Sequence, residues 1–307
     1  MNLDRQLVVA ALPAYEVLDE IGRGGWGVVL SARHRELGRM VAIKQLPRAF
    51  GADPSVRTRF KEEARLVASL AHPHIVPVFD FVEKDGLCLI VMELLTGGTL
   101  WGRFMNEGVP LDQSCALMLA ACAALQHAHA HAILHRDIKP ENFLFSATGT
   151  IKLSDFGIAK VVGQAAIALT RAGSVMGTPA YMAPEQALGE KLTPSTDLYS
   201  IGVMLFELAC GDLPYPETDE PIQQLITKTT EPPRQLTALR PEVHPAIAAV
   251  TMRALARQPS DRYASASELG EAIARAATTA FGPGWLDRKS TRLNSSHSRA
   301  SRMPSSA

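Results

Sequence analysis

Eight consecutive residues, His135-Arg136-Asp137-Ile138-Lys139-Pro140-Glu141-Asn142, constrain this chain more than any other stretch. They set a candidate base, a cation and a metal-ligand amide on one short tether. Asp155-Phe156-Gly157 begins thirteen residues after Asn142. A carboxylate, an amide five residues on and a second Asp after a hairpin-length interval can orient a hydroxyl and hold a divalent metal at one point. Phosphoryl transfer from a nucleotide needs that positioning and charge more than covalent catalysis, so no Ser–His or Cys–His pair is required.

At 307 residues the chain exceeds the usual size of a single core, and two lobes sharing a cleft are expected. Its 31 Lys+Arg and 31 Asp+Glu leave a formal charge of zero, which argues against nucleic acid or anionic membrane as a general partner. The cysteines Cys88, Cys115, Cys122 and Cys210 form no CxxC pair and no zinc spacing. They read as reduced, mostly buried small hydrophobes in a cytosolic compartment. Nothing at the N-terminus resembles a secretion signal. The apolar run Cys115 to Leu125 is too short to span a bilayer and reads as a buried helix, so no membrane segment is expected within the chain.

Taken in order, residues 1–14 show no clear period and read as a leader. From Tyr15 the apolar residues alternate on both sides of Gly22, Gly24 and Gly27, as in an antiparallel hairpin. The spacing G-x-G-x-x-G is a weak signal alone. A dinucleotide-binding turn would lead at once into a helix. Here Val28-Val29-Leu30 is strand-like, which favours a glycine turn lying over phosphates and offering backbone N–H groups. Val41-Ala42-Ile43-Lys44 reads as the next strand. Alone, Lys44 would pass for a snorkelling edge lysine; in an apolar strand behind a glycine loop it calls for an anionic partner.

Residues Val56 to Leu70 carry helical spacing, with Phe60, Ala64, Val67 and Leu70 on one face and Glu62 and Glu63 beside it. Ile75 to Val82 and Leu87 to Met92 read as strands, and Met92-Glu93-Leu94-Leu95 then passes to Thr96-Gly97-Gly98, a candidate hinge. Beyond it the chain turns helical. His127 and His131 stand four apart, but two histidines without a carboxylate or thiol make a poor metal site, so the group reads as helix-end histidines. The segment from Asp155 to Glu185 holds Thr170, Ser174 and Thr178 among glycines and few large apolar residues, and is expected to be a mobile loop. Asp197 opens a strongly apolar helix and should be hydrogen-bonded there. Residues 282–307 read as a disordered tail; Asp287 to Ala307, rich in serine and arginine, resembles translated adapter or vector sequence.

This order of motifs resembles the protein kinase family over roughly residues 15–281, and its bacterial eukaryotic-like serine/threonine branch in particular. The resemblance implies an α+β, bilobal fold: a small antiparallel-sheet N-lobe of about residues 15–95 with one key helix, and a larger, mostly helical C-lobe of about 96–281. It implies ATP and Mg²⁺ (or Mn²⁺) as cofactors, with Asn142 and Asp155 as metal ligands. Asp137 would take the base role and Lys139 would neutralise the transferring group. Lys44 would bind phosphate and pair with Glu63, rather than Glu62, so that helix position is tied to phosphate position.

The glycine strip would cover the nucleotide with Ile21, Gly22, Arg23, Gly24, Gly25, Trp26, Gly27, Val28 and Val29, with Trp26 at its tip. Glu93 and Leu95 would offer backbone groups to adenine, Met92 would control the rear of the pocket, and Ile21, Val29, Ala42 and Leu144 would sandwich the ring. Arg136 would receive a phosphate on Thr170, or else Ser174, while Thr178 would contact Asp137 and Lys139 in a strip, 177–182, that receives residues next to the acceptor. Asp197 would hold the catalytic loop, and Arg262 would pair with Glu185. Expected partners are ATP, proteins with Ser/Thr acceptors and, for phosphorylation in trans, a second copy. The expected location is cytoplasmic, alone or as part of a longer membrane-anchored protein continuing past residue 286. A kinase-fold scaffold without transfer would usually lack Lys44, Asp137 or Asp155. A small-molecule phosphotransferase would lack the Thr178 strip and Ala183-Pro184-Glu185. All of these are present.

Overall fold

Residues 5–24, 27–46, 61–62, 64–156, 179–218 and 220–287 are described by the structure, a computed structural model. Period-two burial organises the first lobe. Strands β1 (Tyr15–Gly24), β2 (Gly27–His34), β3 (Met40–Gln45), β4 (Val78–Lys84) and β5 (Leu87–Glu93) form an antiparallel sheet in the order β1-β2-β3-β5-β4. Alternation along each strand sorts side chains to two faces. Val28, Leu30, Val41, Ile43, Leu89 and Val91 bury in a core on one side, while Ala42 and Met92 turn to the other. Register sets Lys44 opposite Val29 and Ile90.

The segment before Tyr15 is more than a leader. Helix α1 (Arg5–Ala11) packs on β1 and β4, and Val8 and Leu12 complete the outer core of the sheet. Seven residues are too few to hold a helix alone, so its stability comes from that apolar face. Helix α2 includes described residues 61–62 and 64–68, with Ala64, Val67 and Leu70 buried as the spacing predicted; residues 56–60 and Glu63 lie outside the described residues.

Strand β4 starts at Val78, not Ile75 as expected. Pro77 has no N–H for a ladder, and the residues before it bond across to the other lobe. The Val76 N–H donates to the Leu153 carbonyl (3.0 Å), and the Leu153 N–H to the His74 carbonyl (2.9 Å).

After the strand-to-helix crossing at 94–99, the second lobe is helical. Thr99 caps α3 (Leu100–Glu107) by accepting from the Gly102 N–H (2.9 Å). Helix α4 (Leu111–Ala130) contains the run read as a buried helix, with Cys115, Met118, Cys122 and Leu125 inside. It packs on α6 (Pro194–Cys210), which is buried almost all round, and on α10 (Ala266–Phe281). Between these lie α5 (Pro184–Ala187), α7 (Pro221–Thr230), α8 (Leu236–Leu239) and α9 (Pro245–Ala254). All four cysteines are buried and none forms a disulfide among the described residues, and burial pushes the Cys122 thiol up to about 12. Among the described residues no helix is long and apolar enough to cross a membrane.

A short ribbon, β6 (Phe143–Phe145) with β7 (Ile151–Leu153), lies where the lobes meet. Gly97 exchanges bonds with it: its N–H donates to the Phe145 carbonyl (2.8 Å), and the Phe145 N–H donates to the Gly98 carbonyl (2.9 Å). A Cβ on Gly97 would come 2.5 Å from the Ser146 carbonyl oxygen, so only glycine permits this approach.

Candidate active site

The octad turns out of α4 into the groove between the lobes. Its backbone is fixed from below by Asp197, one end of whose carboxylate accepts from the His135 N–H (2.9 Å) and the other from the Arg136 N–H (2.8 Å). His129 Nε2 bonds the same carboxylate at 2.8 Å. Burial pushes the Asp197 carboxyl up, but these bonds outweigh it and hold the group below its ordinary range. Arg136 sits at φ 64°, a left-handed conformation that non-glycine residues rarely adopt and that Asp197 helps to hold.

His135 is fully buried, and burial holds its imidazole below its ordinary range and therefore neutral at neutral pH. Its Nε2 meets the Ser154 carbonyl at 2.9 Å, while its ring packs on Phe156 with centroids 4.6 Å apart. The Ser154 N–H and Oγ both donate to the Asn142 carbonyl, at 2.8 and 3.0 Å. The two polar segments legible in the sequence are thus sewn together by Ser154, immediately before Asp155.

At the surface of this frame, Lys139 Nζ lies 3.4 Å from Asp137 Oδ2. Asn142 Nδ2 donates to the Asp137 carbonyl at 2.7 Å. Asp155 is also left-handed, at φ 59°, and accepts from Lys44 Nζ at 2.7 Å across the lobes. Lys44 thus has the anionic partner its strand demanded. That partner is Asp155; Glu63, the partner expected from the resemblance, lies outside the described residues.

The apolar half assembles with equal clarity. Val29, Ala42, Met92, Leu95 and Leu144 belong to one cluster with Val76 and Leu94. Met92 also lines a small recess behind it with Val67, Ile90 and Asp155. The Glu93 N–H is committed to the Pro77 carbonyl (3.1 Å), and its carboxylate accepts from Lys152 at 2.6 Å, a cross-lobe tie that sequence did not suggest.

Three residues expected to contact the nucleotide stand outside the apolar cluster. Val28 buries its side chain in the outer core, because Val29 takes the inner face and neighbours in a strand must oppose. Arg23 is exposed and pairs with Glu20 at 2.6 Å. Ile21 is half exposed and lies outside the apolar cluster. Gly22 and Gly24 lie in β1, and Gly27 has φ 125°, where a Cβ would strike the Gln45 carbonyl oxygen. Gly25 and Trp26 lie outside the described residues, as do Gly157, Thr170, Ser174, Gly177 and Thr178.

A metal can be tested against these donors. Among the described residues no group of three or more His, Cys, Asp or Glu could hold an ion. Asn142 and Asp155 instead offer hard oxygens, with Nδ2 of Asn142 already turned to Asp137. That sparse set fits Mg²⁺, which binds through one or two protein oxygens completed by substrate phosphates and water.

Farther down, Arg262 forms a two-pronged bridge to Glu185 at 2.8 and 2.8 Å, as the resemblance implied, with both side chains buried. Burial pushes Glu185 up, and the guanidinium more than reverses it, leaving the carboxyl below its ordinary range. Gln186, which sequence reasoning passed over, accepts from the Ala183 N–H (3.0 Å) and donates to the Arg136 carbonyl (3.1 Å), joining this anchor to the octad.

Fold and site together define the class: a bilobal protein-kinase fold with a nucleotide-type cleft. The chain belongs to the protein kinase family, matching its protein kinase domain over residues 15–272. It is 37% identical over 258 residues to the probable serine/threonine-protein kinase PknB of Lactococcus lactis, covering 83% of this chain and 40% of that one. To the serine/threonine-protein kinase PknB of Mycobacterium leprae it is 36% identical over 260 residues, covering 83% and 42%. The chain therefore spans about two fifths of the length of these relatives. The crystal structure of the Mycobacterium tuberculosis PknI kinase domain superposes with a TM-score of 0.69 at 28% identity, over 86% of this chain and 96% of that one.

Proposed function

We propose that this chain is a serine/threonine protein kinase domain that transfers the γ-phosphoryl group of ATP to protein hydroxyls, including those of its own 157–178 segment. The observation that carries the reading is the bonded series Lys44–Asp155, Ser154–Asn142, Asn142–Asp137 and Asp137–Lys139. It sets two cations, two carboxylates and an amide around one point beside an apolar cluster suited to a purine. The names of the relatives support the acceptor class.

In this reading adenine lies among Val29, Ala42, Leu95 and Leu144, with hinge backbone at its edge. Lys44 holds phosphate oxygens. Asp137 orients the acceptor hydroxyl and takes its proton as the oxygen–phosphorus bond forms and the bond to the β-phosphate oxygen breaks. Lys139, close to Asp137, offsets charge on the moving group. A divalent ion held by Asn142 and Asp155 would neutralise phosphate charge when bound. We assign the domain to the cytoplasm, where its four buried cysteines would stay reduced.

Mass spectrometry of intact protein and peptides after incubation with ATP and Mg²⁺ or Mn²⁺ tests the reading. Phosphate on Thr170 or Ser174, absent from Lys44→Met and Asp137→Asn, is expected. No phosphate on this chain or on any supplied protein, despite ATP binding, would favour a scaffold.

A further inference from the structure

Residues Pro179–Tyr181 form a single 3-10 turn, and Met182 follows, with no strand partner to absorb their carbonyls. Buried carbonyls left unbonded would each cost about 1–3 kcal/mol. Here four in succession are taken by side chains. Ser200 Oγ donates to the Tyr181 carbonyl at 2.8 Å. The other three accept from one ammonium: Lys228 Nζ donates to the carbonyls of Pro179 (2.6 Å), which also accepts from the Met182 N–H (3.2 Å), Ala180 and Met182 (3.1 Å).

Lys228 lies on α7 and is 1% exposed, with Tyr199 and Tyr215 rings each 5.9 Å from Nζ. Three N–H groups meet three acceptors, a match that a neutral amine with two N–H groups cannot make. Burial draws the ammonium down to about 7, while the carbonyls favour the charged form. Around it stand the Tyr181–Glu207 bond (2.6 Å) and, behind Tyr199, the Arg262–Glu185 pair. The far end of the same strip reaches the octad through Gln186, whose bond to the Arg136 carbonyl ends one residue before Asp137.

We infer that Lys228 is a positioning residue for the protein substrate: it fixes 179–182 in the shape that receives the residue beside the acceptor. This rests on the kinase reading above and on the strip's role in it. With the inner carbonyls held by α7 and α6, the outer edge of the strip is presented to a peptide at a set distance from Asp137. Helix α7 thereby acts on peptide binding without touching ATP.

The test compares wild type with Lys228→Met, and with Lys228→Gln should the first not fold, using a serine peptide varied at the position after the acceptor. Expected are a rise in peptide KM of about tenfold or more, the factor of one charge-assisted hydrogen bond, loss of selectivity at the varied position and an unchanged KM for ATP. Lys228→Arg should recover part of the loss, and amide hydrogen exchange at 180–187 should quicken in Lys228→Met. A variant that melts earlier but keeps peptide KM and selectivity would make Lys228 merely structural and overturn the inference. A wild type that phosphorylates no peptide would overturn the kinase reading, and the inference with it, even if exchange at 180–187 still responded to the substitution.

Discussion

The octad and the glycine hairpin face the same cleft. Beneath His135 and Arg136 lies a buried carboxylate bonded to two backbone N–H groups and to His129, and Ser154 ties the whole to Asn142. The hairpin is held by ladder bonds, by one side-chain tie from Ser31 to the Asp19 backbone and by its outer core, with register shifts between Val17 and Gly22 and with Ile21, Arg23 and Gly24 exposed. A base must meet its hydroxyl within a few tenths of an ångström, and a buried network supplies that constraint. A phosphate cover must admit and release nucleotide, which a partly irregular pair of strands allows. The difference teaches that this fold concentrates buried charge on the acceptor side, and that the ion pairs Lys44–Asp155 and Lys152–Glu93 join the lobes beside the backbone bonds at 74–76 and 97–98.

The largest expected effect comes from breaking the first link. Asp155→Ala should lower transfer by about 10²–10³-fold or more and lower the melting temperature by a few degrees, because buried Lys44 loses an anionic partner; steady-state kinetics and calorimetry would read both. Next is the acceptor-side foundation. Glu185→Gln leaves Arg262 buried opposite a neutral amide and should cost about 3–5 kcal/mol in urea unfolding. An effect below about 1 kcal/mol would mean that the pair is not part of the foundation.

Acidification sharpens the comparison through His135 and Asp197. His135 is held neutral by burial, so the unfolded chain takes up its proton first, near pH 6.5, and stability should fall as pH drops through that value. Asp197 is held low, so its contribution is present above about pH 4 and is lost as pH falls toward its folded value. Urea midpoints between pH 7.5 and 5 in wild type and His135→Asn would separate them: the variant should show a shallower near-neutral slope, with His72, also held low by burial, supplying what is left. The smallest effect is expected at the hinge, where Lys152→Ala breaks a partly exposed pair and should cost at most about 1 kcal/mol, with a modest rise in ATP KM.

What could be read from sequence follows the range of the interaction. Asp137, Lys139 and Asn142 share one short tether, so their spacing revealed their grouping, and Asp155 followed at a hairpin's distance. The apolar residues around Ala42 and Met92 were legible once strand alternation was assigned. Alternation also carried the correction at Val28, whose side must oppose that of Val29. Helix α1 was not legible, because its seven residues carry too little of an apolar period to mark a helix and fold only against the sheet. His129, Lys152, Gln186 and Lys228 were missed for a different reason. Each meets its partner 46 to 68 residues away, where no local pattern marks the pairing. His129 gave one faint signal, since a histidine at a helix end opposite an Asp on an apolar helix invites a bond.

The central claim is that the octad moves phosphate to a hydroxyl. Its most direct measurement is transfer from γ-labelled ATP to matched serine, threonine and tyrosine peptides by wild type and Asp137→Asn, with ATP affinity measured on both. The account predicts label on the serine and threonine peptides only, a loss of about 10²–10⁴-fold in the variant, and equal ATP affinity. Equal transfer by the two proteins, or ATP binding with no transfer to any peptide or protein, would contradict it.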